Sequence, residues 1–140
     1  IGGTKVGAMF GEAVVFTHGN MPKNFVTLVK QHGALLAKGW LLGVQFDTLF
    51  TDNLYCRIAR RANDAADRIR EVLVERGYTL TFDAPTNQIF ITLDNETSER
   101  LQRSVRLGFM EKADDTHTVM RICTSWATTD KQVEQLIALL

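Results

Sequence analysis

The sequence is poor in the features that mark several classes of protein. Among its 140 residues are two cysteines and two prolines, and no apolar run reaches the roughly 20 residues that a membrane span needs. Acidic and basic residues balance at 16 each, with no block of like charge, which argues against a protein that binds nucleic acid or a membrane surface. These absences argue against a disulfide framework, a membrane protein and a disordered chain.

The two cysteines, Cys56 and Cys123, lie far apart in the sequence and have the spacing of neither a metal site nor a redox pair. We expect them to be reduced interior thiols of a cytoplasmic protein. The chain begins at Ile1 rather than at a methionine. Because its first residues resemble the approach to an internal strand, we expect it to be a piece of a longer protein.

What the chain does contain is 45% hydrophobic residues, enough for a core. Residues 8–16 are apolar apart from Glu12, which predicts a strand in a sheet covered on both faces. A helix is expected from Phe25 to about His32, and the apolar residues 34–50 predict a buried, bent helix. The clearest helix runs from Tyr55 to Arg76, and Gly77 ends it.

After Gly77 the apolar period changes from helical to two. Strands are predicted over residues 79–82, 88–93 and 118–125. A helix capped by Asn95 is expected to reach Leu107, and Thr129 with Gln132 has the spacing of a capping box that opens the last helix. The second half is therefore predicted to be a β-β-α-β-α unit of the α+β class.

Lys5 is the first candidate functional residue, because Gly2-Gly3-Thr4-Lys5-Val6-Gly7 sets a lysine on a glycine-hinged turn before an apolar stretch. A lysine held against a core can lose its proton and act as an amine nucleophile, for instance toward a carbonyl cofactor. Taken alone, the same turn is typical of an exposed loop.

Arg121 is the second candidate. It shares one face of its predicted strand with Val119 and Cys123, while Met120 and Ile122 face the other way. Both faces are largely apolar, so we expect a half-buried guanidinium that needs an anion. That anion is either an internal carboxylate or the carboxylate of a ligand, for which the planar guanidinium is well suited.

Other patterns favour ordinary structure over a site. Asp114, Asp115 and His117 precede a strand, where such residues form a solvated turn more often than a metal site. The glycines before Lys5 lack the frame of a phosphate-binding loop. The apolar residues 35–50 indicate core or a subunit interface, and Lys38 and Trp40 are unusual among them.

Three segments together resemble the threonine aldolase and β-eliminating lyase family, in particular its low-specificity L-threonine aldolase branch. The segments are Gly2-Gly3-Thr4-Lys5-Val6-Gly7-Ala8-Met9-Phe10-Gly11-Glu12-Ala13-Val14-Val15, Lys30-Gln31-His32-Gly33-Ala34-Leu35-Leu36-Ala37-Lys38-Gly39 and His117-Thr118-Val119-Met120-Arg121-Ile122-Cys123-Thr124-Ser125-Trp126. The resemblance implies an α/β enzyme of fold type I that depends on pyridoxal 5'-phosphate, with this chain as its C-terminal part. Residues 1–53 would be the end of the large cofactor-binding domain and its sheet, residues 54–77 a connecting helix, and residues 78–140 a small α+β domain.

The resemblance also implies roles for individual residues. The family's lysine in the position of Lys5 binds pyridoxal phosphate covalently, and the arginine in the position of Arg121 holds the substrate carboxylate. Relatives often carry an arginine near Trp40 that reaches the cofactor phosphate of a neighbouring subunit. Tryptophan cannot replace that charge, and Lys38 is the candidate for this role here. The family's remaining cofactor contacts lie upstream of the position of Ile1, so we expect this chain alone to bind the cofactor poorly and to be inactive.

The activity implied is cleavage of the Cα–Cβ bond of L-threonine or a related β-hydroxy-α-amino acid, giving glycine and an aldehyde. The partners implied are a small amino-acid substrate and further copies of the chain, as a dimer or tetramer, with no nucleic acid and no membrane. Two alternatives stay open at this point. One is a pyridoxal-phosphate enzyme that carries out β-elimination or amino transfer. The other is an inactive interaction or dimerisation module built from the apolar helix, with residues 35–50 as its support, and the small α+β unit.

Overall fold

The computed structural model describes residues 1–140, which divide into two compact units, Ile1–Cys56 and Arg57–Leu140. The first unit contains helices and turns, and the second combines helices with a four-stranded antiparallel sheet. The predicted mixture of helix and sheet is therefore confirmed.

The first unit contains helix α1, Phe25–Gln31, helix α2, Trp40–Phe50, and the first residues of helix α3, Leu54–Glu75. Its first 13 residues fold back on themselves. Gly2 and Glu12 form an isolated antiparallel bridge, and the Ala13 N–H donates to the Ile1 carbonyl at 2.9 Å. Lys5 lies within this folded segment, between the bridged residues Gly2 and Glu12.

The strand predicted over residues 8–16 does not form, and this part of the prediction is wrong. A strand needs a neighbour that satisfies its backbone groups, and this unit contains no other strand. Gly11 has φ of 101°, a left-handed conformation that turns the chain back toward Gly2. Met9, Val14 and Val15 are exposed rather than buried on two faces.

The long buried helix predicted over residues 34–50 is also corrected. The helix begins only at Trp40, because residues 36–39 form a turn in which the Gly39 N–H donates to the Leu36 carbonyl at 3.0 Å. In α2 only Phe46 and Leu49 are buried. A segment that is apolar on every side indicates a fully buried helix, but a unit this small has too little structure to cover all of those sides.

The second unit is built from the rest of α3 and six further elements: β1 Thr79–Leu80, β2 Gln88–Asp94, α4 Asn95–Gln102, β3 Gly108–Lys112, β4 His117–Cys123 and α5 Asp130–Leu139. The strands lie in the order β1-β2-β4-β3 and every pair is antiparallel. Compared with the prediction, β3 is an additional strand, β1 is shorter, and α4 ends at Gln102 instead of Leu107.

One face of this sheet packs on the helices, and the buried cluster includes residues from β2, β4, α3, α4 and α5: Ile89, Ile91, Leu93, Met120, Ile122, Ala66, Ile69, Leu73, Leu101, Val133 and Leu136. The alternate strand residues Gln88, Phe90, Thr92 and Arg121 are only half-buried. We call the side of the sheet that bears these four residues the open face. Strand alternation thus places Arg121 opposite to the core.

The ends of the helices follow local sequence signals. Gly77 adopts φ of 78° after α3, as a C-cap glycine does, and Thr129 and Gln132 form the predicted capping box. The cap of α4 is Asp94 rather than Asn95, since its side chain accepts the Thr97 N–H at 2.7 Å.

Both cysteines are unpaired and exposed, which corrects the expectation that they are interior. Cys56 lies in the first turn of α3, ahead of the residues that this helix buries. Cys123 is the last residue of β4, on the side of the sheet away from the core.

Candidate functional site

Lys5 lies in the middle of a single helical turn, Thr4–Val6. The turn is closed by the Gly3 carbonyl, which accepts the N–H groups of Val6 and Ala8 at 3.1 and 3.0 Å. Val6 is 3% exposed, whereas Lys5 is exposed and forms no ion pair. The backbone of Lys5 is therefore held on both sides while its amine stays accessible.

Helix α2 and the first turn of α3 support this turn. The Gln45 side chain accepts the Met9 N–H at 2.7 Å, and the Tyr55 hydroxyl donates to the Gly2 carbonyl at 2.9 Å. A Cβ atom on Gly3 would lie 2.7 Å from the Cβ of Ala8 and 3.1 Å from the ring of Phe46. The close approach at Gly3 leaves room for no larger residue, which explains the glycine two positions before Lys5.

Lys38 lies in the turn that precedes α2, where its carbonyl accepts the Leu41 N–H at 3.0 Å. Its side chain is exposed and forms no ion pair. Trp40, at the start of the helix, is 64% exposed. Both side chains are therefore available to a ligand or to another protein chain.

Arg121 lies in β4, between Phe90 of β2 and Gly108 of β3. The residue as a whole is half-buried, in agreement with the prediction, and its Nη1 donates to the side-chain oxygen of Gln88 at 3.2 Å. No carboxylate of the second unit lies within 4.0 Å of it. The second unit therefore supplies no internal carboxylate as a partner for Arg121, which was one of the two anions predicted for it.

The sequence did not single out Gln88. It is the first residue of β2, and the strict alternation of buried Ile89, Ile91 and Leu93 sets it on the side of the sheet opposite to the core. The signal that could have identified it is the antiparallel register, which brings Phe90 opposite Arg121 and hence Gln88 next to it. That register cannot be derived from a single strand.

Asp114, Thr116 and His117 close the turn between β3 and β4. One Asp114 oxygen accepts the backbone N–H groups of Thr116 and His117, both at 2.7 Å, and the Thr116 hydroxyl at 2.8 Å. The hydrogen bonds from Thr116 and His117 lower the pKa of the Asp114 carboxyl from 3.8 to about 2. The polar groups of this solvated turn therefore bond to one another.

The candidate residues fall in different units. Lys5 and Lys38 belong to Ile1–Cys56, and Arg121 belongs to Arg57–Leu140. The convergence of the lysine and the arginine on one bound amino acid therefore stays a prediction. None of the helices has the length and apolar character that a membrane-spanning segment requires.

Known proteins similar to this chain are threonine aldolases. A low-specificity L-threonine aldolase from a Pseudomonas species is 28% identical over 138 residues, which is 98% of this chain and 39% of that protein. The corresponding enzyme of Pseudomonas aeruginosa is 30% identical over 102 residues, 72% of this chain and 30% of that protein. No family model matches the chain.

One solved structure gives the same result, and a second shares the fold. The threonine aldolase of Leishmania major superimposes with a TM-score of 0.90 at 37% identity, covering 99% of this chain and 41% of that one. Serine palmitoyltransferase of Sphingomonas wittichii superimposes with a TM-score of 0.55 at 17% identity, covering 71% of this chain and 26% of that one. The second likeness concerns the fold alone.

These comparisons confirm the resemblance to the C-terminal portion of the low-specificity L-threonine aldolases, and they confirm the fold, that of the fold type I enzymes. The chain spans about two fifths of the length of the first curated relative and of the Leishmania enzyme.

Proposed function

We propose that the protein is a lyase that depends on pyridoxal 5'-phosphate and cleaves the Cα–Cβ bond of L-threonine or a related β-hydroxy-α-amino acid into glycine and an aldehyde. This chain supplies the C-terminal part of the enzyme. The observation that carries the proposal is Arg121, a half-buried arginine whose side chain has one hydrogen-bond partner, the neutral side chain of Gln88. Because a half-buried cation needs an anion, the amino-acid carboxylate is the ligand that this site lacks.

The residues of the first unit fit the cofactor. Lys5 offers an accessible primary amine on a turn that its buried neighbours Gly3 and Val6 hold in place, as covalent attachment to a carbonyl cofactor requires. Lys38, also exposed and without an ion pair, is the candidate for the cofactor phosphate. When bound, pyridoxal phosphate supplies the electron sink for the bond that breaks.

Arg121 would contribute orientation rather than proton transfer. Two parallel N–H donors of a guanidinium hold both oxygens of a carboxylate and fix its plane. Fixing that plane limits rotation of the substrate about Cα, so the bond to be broken is held in one direction. The open face of the sheet carries this function because the helices cover the other face.

The experiment for Lys5 is borohydride reduction of the full-length protein loaded with pyridoxal phosphate, followed by peptide mapping. We expect the label on Lys5, its loss in Lys5→Ala, and its retention in the control Lys30→Ala, another exposed lysine of the first unit. Glycine and acetaldehyde should appear from threonine in wild type and in the control. A label on a different lysine, or none, contradicts the proposal.

The experiment for Arg121 is Arg121→Lys in the same protein. We expect KM for threonine to rise by about tenfold or more while the cofactor stays attached, because a single ammonium cannot present paired donors. Arg103→Lys is the matched control, since Arg103 is exposed and its side chain forms no hydrogen bond or ion pair. Unchanged kinetics in Arg121→Lys would remove this residue from the site.

The fold alone does not fix the reaction, because the serine palmitoyltransferase that shares it is named for other chemistry. Product analysis separates the candidates. Threonine cleavage gives glycine and acetaldehyde, whereas β-elimination releases a β-leaving group and amino transfer gives an oxo acid. We further propose a cytoplasmic homo-oligomer, a dimer or tetramer, and the exposed apolar side chains of α2 support this assembly.

A further inference from the structure

We infer that Gln88 is a positioning residue that holds Arg121, and that Gly108 leaves room beside it, so that the edge formed by the Nε and Nη2 atoms of Arg121 receives the substrate carboxylate. This inference rests on the proposed function and deepens it. Gln88 is the first residue of β2 and Gly108 the first of β3, the two strands that flank β4. Arg121 therefore has one of these two residues on each side of its strand.

The contact with Gln88 selects one edge of the guanidinium. A guanidinium offers five N–H donors in a fixed plane, and Nη1 is bound to the Gln88 side-chain oxygen at 3.2 Å. The edge formed by Nε–H and Nη2–H makes no hydrogen bond within the second unit, and a carboxylate takes such an edge with two parallel bonds. The hydrogen bond thus fixes the side chain and leaves its binding edge open.

The Gln88 side chain is uncharged, and this matters for binding an anion at Arg121. A glutamate in the same place would form an ion pair with Arg121 and would compete with the substrate for the guanidinium. The amide oxygen accepts a hydrogen bond without cancelling the positive charge. Gln88 therefore holds Arg121 in place and leaves it attractive to an anion.

Gly108 keeps the free edge accessible. It lies directly opposite Arg121 in the β3–β4 register, and an ideal Cβ on Gly108 would lie 3.5 Å from Nε and 3.6 Å from the Cβ of Arg121. Those distances are ordinary van der Waals contacts, so the sheet itself would accept a side chain at this position. A glycine at this position leaves space for a carboxylate beside Nε, because any side chain there would lie against the Nε edge of Arg121.

The test uses the full-length holoenzyme and the variants Gln88→Leu and Gln88→Glu, with Gln135→Leu as the matched control. Gln135 is an exposed residue of α5 whose side chain forms no hydrogen bond. We expect KM for threonine to rise about tenfold in Gln88→Leu, the scale of one lost charge-assisted hydrogen bond, and at least as much in Gln88→Glu. We expect kcat to stay within about twofold in both, and Gln135→Leu to match wild type.

Two readouts separate positioning from a general loss of structure. Binding of 1-amino-2-propanol, which keeps the amine and hydroxyl of the substrate but lacks the carboxylate, should be the same in wild type and both Gln88 variants. In Gly108→Ala, KM for threonine should rise while the melting temperature is unchanged. Equal losses for threonine and for 1-amino-2-propanol would overturn the inference, as would unchanged KM values in both Gln88 variants.

Failure of the inference is distinguishable from failure of the proposed function. If wild type does not bind or cleave threonine, the proposed function fails and the assignment of the binding edge fails with it. The hydrogen bond itself is measured separately, by the slow rotation of the Arg121 Nη1 group in the NMR spectrum of wild type and its acceleration in Gln88→Leu. Identical rotation rates in the two proteins would overturn the positioning role of Gln88 whatever the activity.

Discussion

At the scale of single residues, Gly3 shows how the absence of a side chain permits the close packing of the turn that bears Lys5. It is buried, its carbonyl closes the turn around Lys5, and an added Cβ would lie 2.7 Å from the Cβ of Ala8. Both of those atoms are attached directly to the backbone, so neither can move away by a change of rotamer. Replacement of Gly3 must therefore shift the turn itself.

We predict that Gly3→Ala lowers the free energy of unfolding by about 1–3 kcal/mol and reduces the borohydride-trapped cofactor on Lys5. Gly2→Ala is the matched control, because its Cβ would meet only the end of the flexible Glu12 side chain, at 3.4 Å. Denaturant unfolding of the two variants and wild type checks this. The close-packing explanation fails if Gly3→Ala is as stable as Gly2→Ala.

Asp114 provides a pH-dependent contribution to stability at the same scale. Hydrogen bonds from Thr116 and His117 lower the pKa of its carboxyl from 3.8 to about 2 in the folded chain. A carboxyl with a depressed pKa stabilises the fold above its unfolded pKa, and this contribution is lost as the pH falls through the folded pKa. The loss should therefore occur between pH 3.8 and about 2.

We predict that the free energy of unfolding of wild type falls more steeply across this pH range than that of Asp114→Asn. The comparison needs denaturant unfolding at several pH values. Asp115→Asn removes the adjacent carboxyl, whereas the N–H groups of Thr116 and His117 donate to Asp114. This variant should therefore keep the steep slope of wild type. Parallel curves for wild type and Asp114→Asn would show that the turn does not favour the ionised carboxyl.

At the scale of elements, the sequence predicted best where a local signal acts alone. The long helix ended by Gly77 and the capping box of Thr129 and Gln132 need only neighbouring residues, and both are present. The half-burial of Arg121 also followed from the alternation within one strand. The end of the helix and the capping box depend on contacts between residues a few positions apart, and the face on which Arg121 lies follows from the alternation of residues along one strand.

The elements that were missed depend on partners distant in the sequence. Residues 8–16 have the composition of a buried strand, but no strand in their unit pairs with them. Strand β3 escaped prediction because its register with β4 shifts between Phe109 and Glu111, and a bulge breaks the period-two pattern. For the same reason Gln88 could not be recognised as the partner of Arg121 from β2 alone.

At the scale of the whole molecule, the exposed side of α2 bears on how copies of the chain assemble. Trp40, Leu41 and Val44 lie within the first five residues of the helix and are 64%, 42% and 54% exposed. An apolar cluster of this kind on one side of a helix marks an interaction surface more often than a free one. We therefore expect the proposed homo-oligomer to use this surface.

We predict that Val44→Glu lowers the molecular mass of the assembly that the full-length protein forms. The carboxylate of the variant would lose its water of hydration in an apolar interface without gaining a partner. Val74→Glu is the matched control: Val74 lies on α3, is 57% exposed, and receives the same charge. Sedimentation velocity should report a dimer or tetramer for wild type and Val74→Glu and a smaller species for Val44→Glu. A full-length wild type that sediments as a monomer, or a Val44→Glu variant that assembles like wild type, would show that the apolar surface of α2 does not join copies of this chain.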